Sequence, residues 1–205
     1  MRGLIGKKIG MTRVFNSGGR AIPVTVLEVG PCYVTQVKTI ENDGYDSVQI
    51  GYLEAKSKHV NKPSAGHFLK NNVKPTKVLA EFQKVPKFEY KPGQVFNVSL
   101  FNEGDFVSVS GKSKGHGFSG TVKKYNFSTQ RKTHGQGDTY RHVGSIGNAS
   151  DPSRVFPGKK MPGRYGNKTV SVKSLEVIKV NELKNQLLVK GSVPGSTNGI
   201  VVITR

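Results

Sequence analysis

The chain has 205 residues and carries 32 Lys or Arg against 13 Asp or Glu, which gives a formal net charge of +19. So large an excess of positive charge is unusual for a soluble enzyme and indicates a polyanionic partner, nucleic acid before an anionic membrane surface. No apolar run reaches the length of a spanning helix, and no basic amphipathic helix of useful length is evident, so we expect no membrane partner.

The N-terminal residues and the single cysteine indicate the compartment. In MRGLIGKKIGMTRVF the apolar residues are interrupted by Lys7 and Lys8, so we expect no secretory signal. Cys32 stands alone, which excludes an intramolecular disulfide framework and a cysteine-based zinc site. Both features predict a cytoplasmic protein.

The first third of the chain is predicted to form short strands. Met11–Phe15 leads through the turn at 16–19 into Arg20–Val29, which is apolar on both faces and is therefore typical of a closed or stacked sheet. Pro23 lacks a donor and should lie at an edge or a bulge. The next strands are Tyr33–Lys38 and Ser47–Tyr52, with a hairpin turn at 42–44 between them.

The middle of the chain alternates polar loops with further strands. Residues 54–77 are Lys-rich and suit one short helix that begins at Pro63 or Ser64. Further strands are predicted at Val78–Phe82, Val95–Leu100 and Phe106–Val109, the first two separated by a loop containing Pro86, Pro92 and Gly93.

Strands resume after residue 168. In Thr169–Asn181 the apolar phase slips at Lys173–Ser174 and again near Ile178, which predicts bulges or a sharp bend. Asn181–Asn185 is a turn, and Gln186–Lys190 and Ile200–Ile203 are the last strands.

The fold class predicted from these elements is mainly β, with one or two short helices. We expect one small closed barrel or sandwich built from residues 1–109 and 170–205, with residues 110–169 as a long irregular basic insertion. The alternative is two domains that divide near residue 110, but the C-terminal part is then too small for a core of its own.

Residues 110–169, the basic segment, are set apart by composition. They hold 12 Lys or Arg against two acids, 11 of the 25 glycines, and only eight Val, Ile, Leu, Phe or Met. So little apolar surface cannot offset the entropy of ordering 60 residues. The segment is therefore either disordered or completed by a polyanionic partner. Its bases recur every few residues, and six aromatic rings lie between them, which favours a segment that becomes ordered on RNA: Phe118, Tyr125, Phe127, Tyr140, Phe156 and Tyr165.

Three short stretches near residue 111 resemble catalytic or nucleotide-binding motifs, but each lacks a residue or a structural context that its motif requires. A phosphate-binding loop needs glycine at position 106, where Phe106 stands. GHGFSG at 115–120 lacks a parallel βαβ context, and GKSKG at 111–115, with Asp138 and His142 behind Ser113, lacks the hydrolase context. The histidines have no neighbouring carboxylates and suit RNA contact better than a metal site. We therefore expect a protein that is not an enzyme and has no cofactor, metal or small-molecule substrate.

Several stretches of the chain resemble one known family. GKSKGHGFSGTVKKYNF at 111–127 and GSIGNASDPSRVFPGKKMPGRYGNKTVSV at 144–172 are similar to signatures of the bacterial large-subunit ribosomal protein L3 family. GLIGKKIGMTRVF at 3–15 and LLVKGSVPGSTNGIVVI at 187–203 are similar too, so the match is collinear over essentially the whole chain.

The resemblance implies a concrete function. Family members carry a barrel of the translation-protein type and an extension that enters the large-subunit rRNA toward the peptidyl-transferase centre. They act in early subunit assembly and have other large-subunit ribosomal proteins as neighbours. The alternative from another class is a free-standing basic RNA chaperone or DNA-binding protein, although no recognition helix is evident.

Site residues follow by matching position. The residues assigned to rRNA binding are basic or histidine side chains: Lys7, Lys8, Arg13, Lys112, Lys114, His116, Lys123, Lys124, Arg131, Lys132, His134, Arg141, His142, Arg154, Lys159, Lys160, Arg164 and Lys168. The tip nearest the peptidyl-transferase centre is assigned to small residues: Gly144, Ser145, Gly147, Asn148, Ala149, Ser150, Asp151 and Pro152. Some family members carry a methylated Gln where Ser150 stands, so that modification is not expected here.

Overall fold

The computed structural model describes residues 3–85 and 88–205, and it divides the chain into two compact units. The first unit consists of the described residues up to Ser113 together with Thr169–Arg205. The second unit is Lys114–Lys168. Pro86, which the sequence assigns to a loop, lies outside the described residues.

Six strands of the first unit close into an antiparallel barrel in the order β1-β12-β7-β10-β11-β2. Their bounds are Gly3–Phe15 for β1, Ala21–Val29 for β2, Phe106–Lys112 for β7, Thr169–Asn181 for β10, Gln186–Lys190 for β11 and Ile200–Thr204 for β12. Because side chains of a strand alternate between its faces, three of these strands bury alternate residues: Val107 and Val109, Leu187 and Val189, Val201 and Ile203. The predicted closed β-barrel is confirmed.

A second, four-stranded sheet in the order β5-β4-β3-β6 packs its buried side chains into the same hydrophobic core. Its strands are Cys32–Lys38 (β3), Ser47–Glu54 (β4), Thr76–Gln83 (β5) and Val95–Phe96 (β6). Val34, Ile50 and Phe82 of this sheet join Leu4 and Ile5 of the barrel in one cluster. These strands therefore lie outside the barrel, a division that strand alternation alone did not reveal.

The three α-helices among the described residues are all short. The predicted turn at 42–44 does lie between β3 and its antiparallel partner β4, and it includes the end of a one-turn helix, α1 (Ile40–Asp43), which stops at Gly44 in the left-handed conformation with φ 80°. Helix α2 runs over Lys62–Lys70, close to the predicted start at Pro63. Helix α3, Thr121–Tyr125, belongs to the second unit.

The strand predicted over Val95–Leu100 is wrong beyond Phe96. Residues Val98–Leu100 form a 3₁₀ turn, in which residues three apart lie on the same side. The turn brings both Val98 and Phe101 into the core, at 0% and 2% exposure. The burial of these two apolar side chains favours the 3₁₀ turn over the strand that the alternating pattern predicts.

The bulges predicted in β10 are confirmed. Its register against β7 shifts between Val172 and Leu175, where Ser174 has a φ of 56°, and its register against β11 shifts between Val177 and Lys179. At its start β10 pairs Thr169 with Lys112 of β7, so β7 runs three residues beyond its predicted end.

Pro23 lies in a central barrel strand rather than at a sheet edge. Its carbonyl accepts from the Gly191 N–H, and the β2–β11 ladder ends one residue away, at the Val24–Lys190 pair. The missing N–H of Pro23 therefore falls just past the end of that ladder, where no partner needs it.

Candidate nucleic-acid interface

The second unit has almost no interior. Its regular structure is the two-residue strand pair Phe118–Ser119 (β8) with Gly163–Arg164 (β9), helix α3 and a 3₁₀ turn at Asp138–Arg141. Only Ser119 and Thr121 of its residues are buried, and neither is hydrophobic. A segment of this length cannot stabilise itself by apolar burial.

Backbone pairing and one ring stack join the two ends of this unit. The His116 N–H donates to the Tyr165 carbonyl and the Tyr165 N–H donates to the Gly117 carbonyl, both at 2.9 Å. The rings of His116 and Tyr165 stack, with centroids 4.9 Å apart and planes 21° apart. Gly166 follows at a φ of 71°, and a β-carbon built on it would collide with the Lys114 carbonyl. The base of the unit is therefore the part that the protein orders by its own contacts.

Cations cover several aromatic rings in the unit. Tyr125 is flanked by Lys124 Nζ at 5.0 Å and by Lys160 Nζ at 5.7 Å. One ring therefore connects the two basic arms on either side of the tip, residues 112–132 and 159–168. Lys132 Nζ lies 5.6 Å from the centroid of Tyr140, and the Arg154 guanidinium lies at the same distance from Phe156. Exposed contacts of this kind are worth about 0.5–1 kcal/mol each and leave the charge facing outward.

The charge of the unit is largely uncompensated. It contains eleven Lys or Arg and two acids, Asp138 and Asp151. Among the residues that the structure describes, the ion pairs join side chains of the first unit. Apart from Lys168, none of the bases of the second unit forms one. A hydrogen bond with Thr129 lowers the pKa of the Tyr140 hydroxyl, and the nearby charges of Lys132 and Arg141 lower it further.

The structure places the predicted rRNA-binding side chains of the second unit almost entirely at the surface. Lys124 is half-buried, and the other assigned bases and histidines of this unit are exposed. The tip residues 144–152 are exposed too, apart from the half-buried Pro152, and the Ser145 hydroxyl donates to the Gly147 carbonyl at 3.0 Å. In the first unit, Lys112 and Arg13 are exposed and Lys7 is half-buried.

Lys8 has a structural contact that the sequence did not indicate. Its ammonium donates to the carbonyls of Val193 at 2.7 Å and Gly195 at 3.2 Å. It therefore fixes the loop between β11 and β12 against β1, whether or not it also meets RNA.

The comparisons with known proteins identify the family. A family model described as ribosomal protein L3 matches residues 80–187, which include the whole second unit. The chain belongs to the ribosomal protein L3 family. "Large ribosomal subunit protein uL3" of Thermotoga maritima is 49% identical over 203 residues, covering 99% of this chain and 96% of the relative. The same protein of Pasteurella multocida is 50% identical, covering 99% and 97%, and "uL3c" of Phaeodactylum tricornutum is 48% identical, covering 98% and 97%.

Membership in the L3 family settles the broad function. The chain is a structural constituent of the large ribosomal subunit and is not an enzyme, and its place is the ribosome, which is cytoplasmic in bacteria. Among residues 3–85 and 88–205 there is no group of three His, Cys, Asp or Glu that could hold a metal ion. No helix in the same residues is long and apolar enough to cross a membrane.

Proposed function

We propose that this L3 family member binds large-subunit rRNA through residues 110–169, promotes early assembly of the subunit and directs its tip toward the peptidyl-transferase centre. The observation that carries the proposal is the combination of two buried residues in the second unit with ten bases that lack an ion-pair partner among the described residues. RNA phosphates supply the counter-charge and RNA surfaces supply the interior that the sequence lacks.

Exposed aromatic rings extend the proposal from phosphates to bases. Phe118 is 81% exposed and pairs with Arg164 in the β8–β9 ladder, and Phe156 is 58% exposed with the Arg154 guanidinium 5.6 Å from its ring. Rings in this position stack on unpaired bases, which is how proteins commonly recognise looped RNA. The assigned bases on both sides of the tip act as phosphate contacts along the RNA path.

The tip differs chemically from the arms. Residues 143–153 contain Asp151 and no Lys or Arg, and most of them are Gly, Ser, Asn or Ala. Small neutral side chains can approach a crowded RNA site closely without adding repulsion or bulk. The charged arms therefore provide affinity, and the tip provides fit.

Salt dependence tests the rRNA contact. The full chain should bind large-subunit rRNA fragments with an affinity that falls steeply with salt. Replacing Lys123, Lys124, Arg131 and Lys132 by Gln should make the slope of log K against log salt less negative by about 3, at 0.7–0.9 per phosphate contact. The matched control replaces four exposed lysines of the first unit by Gln: Lys91, Lys173, Lys179 and Lys184. If both variants changed the slope equally, binding would depend on the total charge of the chain and not on a site at these residues.

A tethered probe tests the direction of the tip. An iron chelate on Ser150→Cys, incorporated into the large subunit, should cleave rRNA around the peptidyl-transferase centre through hydroxyl radicals. Cys32 is fully buried and should remain unlabelled, so the chelate reports one position. Cleavage confined to other regions of the rRNA would overturn the proposed direction.

Deletion of residues 128–165 tests the assembly role. The deletion should impair assembly of the large subunit, and normal assembly would contradict the proposal.

A further inference from the structure

The first unit contains a groove that none of the assigned site residues lines. It lies between helix α2, the residues that lead into it and strands β4 and β5, with a volume of about 1100 Å³. Ligand clefts in proteins usually measure about 300–1,000 Å³, so the groove is large enough for an extended ligand. Its walls include Lys56, His59, Ser64, His67 and Lys77.

The groove is the centre of a positively charged stretch. Residues 54–77 contain six lysines and one acid, Glu54. Glu54 also lines the groove, and its contact with Lys74 is 3.5 Å long with both side chains more than half exposed, so one negative charge stands against the six lysines. In the described part of the chain no carboxylate lies within ion-pair distance of Lys56 or Lys77. The surface therefore attracts an anion.

One histidine in the groove is held in a defined orientation. His67 Nε2 lies 2.8 Å from Gln49 Oε1, which also accepts from the Thr35 hydroxyl at 2.8 Å. The Gln49 amide nitrogen donates to Glu81, so its oxygen faces His67 and the hydrogen of the neutral imidazole lies on Nε2. Nδ1 of His67 is then an acceptor, and no described residue donates to it.

The groove also offers apolar contact beside its polar groups. Val60, Pro63 and Leu79 contribute to its lining, and Leu79 is 41% exposed. A nucleotide carries a negative phosphate, an apolar ring face and a polar ring edge. The lysines, the apolar side chains and His67 match these three parts, whereas a duplex keeps its bases inside the stack.

We propose that this groove binds an unpaired stretch of large-subunit rRNA, with a phosphate between Lys56 and Lys77 and a nucleobase whose edge donates to His67 Nδ1. The proposal rests on the rRNA-binding function proposed above and adds to it a second, separate contact on the first unit. An acidic peptide is the competing occupant. A peptide can pair its carboxylates with the lysines and donate a backbone N–H to Nδ1, so the probe at Ser64 described below distinguishes the two occupants.

Removing the two lysines tests the phosphate contact. Because Lys56 and Lys77 are exposed, Lys56→Gln with Lys77→Gln should leave the fold intact, as a denaturation midpoint equal to that of the original chain would verify. The full-length variant should bind rRNA with a salt slope less negative by about 0.7–0.9, because the two lysines hold one phosphate. The matched control, Lys91→Gln with Lys179→Gln, removes two exposed lysines that do not line the groove and should leave the slope unchanged. Equal slopes for the original chain and the groove variant would overturn the proposal.

A probe at the rim identifies the occupant. Ser64 lines the groove and is exposed, so Ser64→Cys can carry the same iron chelate within the assembled large subunit. Localised cleavage of rRNA supports the proposal. A photocrosslinker attached at the same cysteine should join rRNA, and a crosslink to a protein instead would overturn the proposal. No cleavage above the unlabelled control would overturn it as well.

The two proposals fail separately. If the Ser64 probe cleaves nothing while the Ser150 probe and the arm variant behave as expected, the groove is empty and the basic segment alone binds rRNA. If the arm variant binds rRNA with an unchanged salt slope, the proposed function itself is wrong, whatever the groove does.

Discussion

Phe82 of the second sheet packs directly on Gly3 of the barrel. A β-carbon built on Gly3 would lie 2.6 Å from Cε1 of the Phe82 ring and would also collide with the Ile203 carbonyl. Phe82 is only 6% exposed and belongs to the hydrophobic core. The absence of a side chain at residue 3 is therefore what allows the barrel and the sheet to share one core.

Gly3→Ala should destabilise the protein, because neither the backbone carbonyl of Ile203 nor the enclosed ring of Phe82 can move aside. We expect a loss of about 1–3 kcal/mol in the free energy of unfolding, measured by urea denaturation. Gly10→Ala in the same strand is the matched control, since a β-carbon there meets nothing within 4 Å. Equal stability of the two variants would contradict the packing argument.

The Lys38–Glu81 pair should make stability depend on pH. The two groups lie 2.8 Å apart, and Tyr45 donates its hydroxyl to Glu81 at 2.8 Å. The hydrogen bond from Lys38 lowers the pKa of Glu81 below its ordinary 4.5, and the pair raises the pKa of Lys38 above its ordinary 10.5. Stabilisation is therefore complete between these values. It is lost as pH falls through the lowered pKa of Glu81, or rises through the raised pKa of Lys38.

Glu81→Gln should flatten the fall in unfolding free energy on the acid side of pH 4.5, measured by denaturant titration at a series of pH values. Glu54→Gln is the control, because Glu54 is exposed and its contact with Lys74 is longer, at 3.5 Å. If the unfolding free energy of Glu81→Gln fell with pH as steeply as that of the original chain throughout the acid range, the Lys38–Glu81 pair would not be the cause.

Cys32 should be almost unreactive in the folded protein. It is fully buried, its thiol donates to the Ile5 carbonyl at 3.4 Å, and burial raises its pKa from 9.0 to about 11. At pH 8 this alone leaves about 100-fold fewer thiolates, and burial also blocks access by the reagent. Labelling with a thiol reagent should be slow in buffer and fast in urea, while Ser64→Cys should label quickly in both. Rapid labelling of native Cys32 would contradict its burial.

Gly166→Ala should loosen the base of the second unit. Its φ of 71° disfavours a side chain by about 1–2 kcal/mol, and the new β-carbon would meet the Lys114 carbonyl. The N–H groups of His116 and Tyr165 should exchange with solvent about tenfold faster or more in the variant, as amide hydrogen exchange would show. Gly120→Ala, with φ −69° and nothing within 4 Å, should leave both rates unchanged.

Local features of this fold could be predicted from the sequence, whereas long-range pairing could not. The phase slip at Lys173–Ser174 marks a bulge because side-chain alternation reports the face of a strand directly. Alternation does not report a strand's partner, so β3–β6 could not be separated from the barrel. The 3₁₀ turn at Val98 was missed because the burial of Phe101 that favours it depends on the completed core.

The candidate sites divide in the same way. Charge and glycine content marked the basic segment because these properties are local in sequence. The groove was missed, since it depends on a contact between His67 of α2 and Gln49 of β4 that no spacing rule indicates. The Lys-rich composition of residues 54–77 was the available signal, and it was assigned only to a loop with one short helix.

The ladder pair Lys112–Thr169 has a consequence for how the chain can change. The two residues are partners in the β7–β10 ladder, so the barrel itself closes the loop formed by everything between them. The entropy of closing such a loop rises only logarithmically, by about 0.6 kcal/mol for each doubling of its length. Insertions or deletions in that loop therefore change barrel stability little, and its length can vary without loss of the barrel.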